Sequence, residues 1–144
     1  MAITEEQRSR VAQLLGREPR GLKAIPVLSD QGQPMVIRVA PLVDDKPFPT
    51  LFWLVDPDLS YRIDGEEATG LIARLQLQVD EDPQLQEQMA ADHSRYIQLR
   101  RAFMSDTERE RVESLGFTDV FEHKGIGGIA DFTRIRCLHT WYAA

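Results

Sequence analysis

The sequence predicts an α+β fold, a small antiparallel sheet of about three strands in the N-terminal half packed against four to five helices. Three observations carry this. Two short β-rich runs, residues 24–28 and 35–40, flank a turn that contains Gly32. Apolar residues recur at helical spacing through most of the second half. Helix-start signatures stand at Thr4 with Gln7, at Asp82-Pro83 and at Ser105 with Glu108.

Taken in chain order, Thr4 and Gln7 form a capping box, Val11, Leu14 and Leu15 give a short apolar face, and Gly16 stops the helix. Residues 17–21 are an irregular, basic connection. The two strands of the hairpin follow. Pro26 has no N–H to give a ladder, which predicts an edge strand. Met35, Ile37 and Val39 share one face of the second strand, and Arg38 points the other way. Residues 41–49 read as a proline-rich loop. Residues 51–55 are apolar on both faces, as in a central strand covered on both sides, and Asp56-Pro57-Asp58 ends it. Leu71, Ile72, Leu75 and Val79 predict a helix after Asp64-Gly65. The longest helix starts at Asp82-Pro83, with Leu85, Met89, His93, Tyr96, Arg100 and Phe103 as its stripe. Ser105 and Glu108 open a charged helix that stops at Gly116. Phe117, Val120 and Phe121 read as a further short strand, residues 125–128 as a flexible loop, and Thr133 as the cap of a last helix. Ile135, Leu138, His139 and Tyr142 would share one face of that helix.

A chain of 144 residues, 42% apolar and 28% charged, fits a single domain over 1–144. The net charge of −6 argues against nucleic acid or an anionic membrane as a partner. One cysteine excludes an internal disulfide framework and fits a reducing compartment. No apolar run approaches the roughly 18 to 20 residues that span a bilayer, and the acidic start is unlike a signal peptide. A cytoplasmic location is therefore expected. The 17 basic residues are 14 Arg and three Lys, and Arg is the better fork for carboxylate or phosphate.

His93, Tyr96 and Arg100 place polar tips on the core-facing side of the longest helix, where each needs a partner. They read either as a satisfied core network or as a polar pocket. His139 falls on the apolar face of the last helix, so the two histidines are expected to meet. Cys137 is two residues from His139, about 200° around a helix, which argues against a Cys-His dyad or metal clip and for a packed, inert thiol. No spacing matches a standard zinc motif, and no motif implies a cofactor. Asp44-Asp45 and Glu66-Glu67 read as solvated surface. The glycine-rich 125–128 stretch matches neither a dinucleotide fingerprint nor a Walker A loop.

Several stretches together resemble a bacterial, mainly actinobacterial, family known as domain of unknown function 501. They are Leu15-Gly16-Arg17-Glu18-Pro19-Arg20-Gly21, Pro47-Phe48-Pro49-Thr50-Leu51-Phe52-Trp53-Leu54, Glu81-Asp82-Pro83-Gln84-Leu85, His93-Ser94-Arg95-Tyr96 and Arg134-Ile135-Arg136-Cys137-Leu138-His139. The most specific are the Pro-Phe-Pro-Thr stretch and the terminal Cys-Leu-His. The turn Ser29-Asp30-Gln31-Gly32 lacks the cysteine that relatives often carry near it. The resemblance implies no activity. It does fall on positions that the helical faces single out: His93, Tyr96, Arg136, Cys137 and His139.

The functional expectation is a regulatory domain that binds a small anion or a protein partner. Its polar pocket would be built from His93, Tyr96, Cys137 and His139, with Arg17, Arg20 and Arg136 as anion forks. The alternative is a hydrolase or transferase with His93 or His139 as general base, metal-assisted or not.

Overall fold

The computed structural model describes residues 2–144. Helix α1 (Glu5–Leu15) opens on the expected capping box, and Gly16 closes it in a left-handed conformation with φ 72°. Strands β1 (Leu22–Leu28) and β2 (Pro34–Val39) form the hairpin. A small second hairpin, β3 (Leu42–Val43) and β4 (Lys46–Pro47), occupies the stretch expected as a plain loop. Asp44 and Asp45 turn it with φ of 53° and 61°, the left-handed pair that a tight hairpin turn requires.

Strand β5 (Phe52–Leu54) pairs antiparallel with β2, so the main sheet runs β1-β2-β5. Pro26 lies on an edge, as expected. The 51–55 stretch does not hold the central position: β2 does, and β5 is the second edge. Its two apolar faces have another cause. Trp53 packs with Val11, Ile37 and Val55 under α1. Phe52 packs on the opposite face with Tyr96 and Trp141. A strand flanked by helices on both faces reads as central whatever its place in the ladder.

The other half is helical: α2 (Pro57–Ala68), α3 (Leu71–Glu81), α4 (Pro83–Phe103), α5 (Asp106–Ser114), α6 (Thr118–His123) and α7 (Leu138–Ala143). With α1 that makes seven α-helices among the described residues, more than the four or five expected. Asp56 does not merely end a strand. It caps α2, its Oδ1 accepting from the amides of Asp58 and Leu59, with Pro57 in the first turn. The expected strand at 117–121 is α6. Phe117, Val120 and Phe121 recur at helical spacing and pack on Met104 and Val112.

The last helix begins at Leu138 and not near Thr133. The Thr133 amide and hydroxyl both bond Asp131 Oδ1, at 3.0 and 2.8 Å. Gln76 on α3 then takes the Thr133 carbonyl (2.8 Å) and the Ile135 amide (2.9 Å). Backbone groups held by another helix's side chain are not free for an i→i+4 ladder. No helix among the described residues is long and apolar enough to cross a membrane.

Candidate functional site

The late start of α7 decides the chemistry at the C-terminal end. Cys137 is its N-cap residue, in extended backbone with φ −150° and ψ 125°. The thiol is therefore off the helix and not bound by the 100° step. Cys137 Sγ lies 3.5 Å from His139 Nδ1. This corrects the expectation of diverging side chains, which assumed that both residues were helical.

Helix α2 supplies the rest. Glu67 Oε1 lies 3.2 Å from His139 Nδ1 and accepts the Leu138 amide at 3.0 Å. His139 Nε2 lies 2.9 Å from Asp64 Oδ1 and 3.3 Å from the Ser60 carbonyl. Ser60, Asp64 and Glu67 are spaced four and three apart and so share one helical face. Glu67 is not solvated surface: its side chain is 25% exposed, as His139's is 24%. Burial pushes the Cys137 thiol up, but the amides of Thr140 and His139 and the imidazole outweigh it and leave the thiol below its ordinary value. Burial pulls His139 down, but Cys137, the Ser60 carbonyl and the Glu67 carboxylate outweigh it and raise the imidazole.

His93 lies elsewhere. Its ring is fully buried, stacked on Phe132 at 4.6 Å between centroids and edge-to-face with Trp141 at 5.0 Å. Nδ1 accepts the Ile126 amide at 3.0 Å. A Cβ on Gly125 would fall 2.2 Å from Nδ1, so the 125–128 stretch is a close-packed 3-10 turn that needs glycine there. Burial holds the His93 pKa below its ordinary value. Tyr96 is also buried, its hydroxyl accepting the Leu51 amide at 2.6 Å. Arg100 donates to the carbonyls of Pro49, Phe121 and Lys124.

These residues form a core network that ties α4 to the sheet and to the C-terminal segment. The expected single pocket is not formed. His93 and Tyr96 belong to the core, Cys137 and His139 to the α2–α7 cluster, and Arg136 to exposed surface just before it. Arg17 and Arg20 are exposed at a third place. They stand at the rim of a cleft of about 350 Å³ whose walls include Leu22, Ile37, Phe48 and Trp53. The Arg17 guanidinium lies 5.7 Å from the Trp53 ring. Arg20 pairs with Asp44.

Sequence reasoning missed Ser60, Asp64, Glu67 and Gln76. The available signal was Asp56-Pro57, the same cap-and-proline start that identified α4.

A family model described as "Protein of unknown function (DUF501)" matches residues 25–144. Neither the curated proteins nor the solved structures contain a significant match.

Proposed function

Since the chain belongs to this family of proteins of unknown function, we propose a function from its own surface: it binds a small anion with an apolar body, in the cleft at the α1–β1 connection. The observation that supports the reading is two arginines, Arg17 and Arg20, bracketing an apolar-walled cleft. Guanidinium forks take carboxylate or phosphate in two-point hydrogen bonds. The apolar wall takes an acyl or aryl group. Arg20 and Asp44 are each 59% exposed in their pair, and exposed pairs contribute only about 0–1 kcal/mol. A ligand carboxylate therefore displaces Asp44 at small cost. A carboxylate carried by a protein partner would use the same forks.

Thermal shift with phosphate, polyphosphate, nucleotides and an aryl carboxylate tests this. Binding at 100 times Kd stabilises by about 2.7 kcal/mol, and the double variant Arg17→Ala, Arg20→Ala abolishes the shift. No shift with any anion at millimolar concentration, or a shift unchanged in that variant, removes the proposal.

A second reading is a hydrolase or transferase with a histidine as general base. One observation favours it, and only for His139: a partly exposed imidazole held between Asp64, Glu67 and Cys137. An ester or thioester hydrolysis panel reads it, with the activity lost in His139→Gln. A panel without activity rejects it.

A further inference from the structure

We propose that Glu67, Cys137 and His139 bind one divalent transition-metal ion of the zinc class, with a fourth position left open. The donors are one thiolate sulfur, one imidazole nitrogen and one carboxylate oxygen, and all three atoms lie within 4.8 Å of one another. The two separations made by His139 Nδ1 match a small tetrahedral ion. Bonds of about 2.3 Å to sulfur and about 2.1 Å to nitrogen and oxygen, at tetrahedral angles, set S···N near 3.6 Å and N···O near 3.4 Å. The observed separations are 3.5 Å for Sγ to Nδ1 and 3.2 Å for Nδ1 to Oε1.

The outer contacts fit a ligating imidazole. His139 turns Nδ1 toward the other two donors, and Nε2 faces the Ser60 carbonyl at 3.3 Å with Asp64 Oδ1 2.9 Å away. A carboxylate behind the far ring nitrogen fixes the tautomer and makes the imidazole a better ligand. Glu67 is oriented in turn by the Leu138 amide. Sulfur and imidazole select zinc, cobalt, nickel or copper over magnesium and calcium, which want oxygen alone.

Three protein ligands and a partly exposed site leave room for a bound water, the arrangement of hydrolytic zinc centres. The other cluster of this kind among the described residues, Asp119, Glu122 and His123, is exposed at all three positions and has no sulfur. The metal site is independent of the Arg17–Arg20 cleft. It supplies the ion that the second reading leaves open, yet ion binding is measured without any activity, so the two can fail separately.

The test is titration of tag-free, chelator-stripped, reduced protein with Co²⁺, followed by displacement with Zn²⁺. One cobalt per chain is expected, with tetrahedral visible bands and a thiolate-to-cobalt charge-transfer band in the near ultraviolet. Cys137→Ser removes the charge-transfer band. Asp64→Asn, which touches the ion only through His139, weakens binding about 10- to 100-fold. His123→Ala changes nothing. Absence of the charge-transfer band in the wild type overturns the proposal, as does its survival in Cys137→Ser or loss of binding in His123→Ala. Circular dichroism checks each variant's fold. If Cys137→Ser unfolds, Glu67→Gln, which replaces one of the three ligating groups, decides, and unchanged affinity there overturns the assignment.

Discussion

Through Nδ1, His93 accepts the Ile126 amide, so the proton of the neutral ring sits on Nε2, which has no hydrogen-bond partner among the described residues. Charging this ring would set a second N–H against the Ile126 donor inside an aromatic cage. The consequence for stability has a definite sign. The folded pKa lies below the ordinary value of 6.5, so the unfolded chain takes up the proton first as pH falls. His93 therefore removes stability as pH drops below about 6.5 and has no such effect above it. In an NMR titration its imidazole signals should hold the neutral form through pH 6.5, while the thermal midpoint declines on the acid side. Ring signals that titrate at 6.5 or above would contradict this. The stripe on α4 made His93 visible in the sequence. Burial, stacking and the Gly125 contact are what make it a core residue, and none of them is local in sequence.

Among the elements, α1, the β1–β2 hairpin, α4 and α5 were legible because each carries its own punctuation, and α3 because its apolar residues recur at helical spacing. Thr4, Ser105 and Asp82 cap helices, and Gly16 and Gly116 end them with positive φ. Helix α2 was not, although Asp56-Pro57 repeats the start of α4. It has no buried residue, so it lacks the apolar stripe on which periodicity depends. The same weakness hid Asp64 and Glu67. Helix α7 shows the opposite error. Its apolar residues fit a helix from Thr133, but Gln76 on α3 holds the intervening backbone. A side chain 57 residues away from Thr133 thus shortens the helix, and that shortening lets Cys137 meet His139.

Across the whole molecule, Arg100 joins parts that are far apart in the chain. Its guanidinium is 1% exposed in residue terms and bonds carbonyls in the 48–51 connection and at both sides of the α6 C-terminus. Burial lowers its pKa to about 10, which still leaves it charged at neutral pH. Arg100→Leu keeps an apolar volume but leaves these carbonyls without a donor, at about 1–3 kcal/mol for each buried unpaired group. The expected loss is about 3 kcal/mol or more in denaturant unfolding. A loss under about 1 kcal/mol would mean that water replaces the guanidinium at no penalty. By itself the sequence determined the fold class, the family, the helix caps and the residues carrying reactive groups, because composition, periodicity and capping act over a few residues. Only the tertiary structure decided which of those groups meet. It separated His93 from His139 and brought Cys137 to His139 and both to α2, because contacts between groups 71 residues apart depend on packing, which no local pattern encodes.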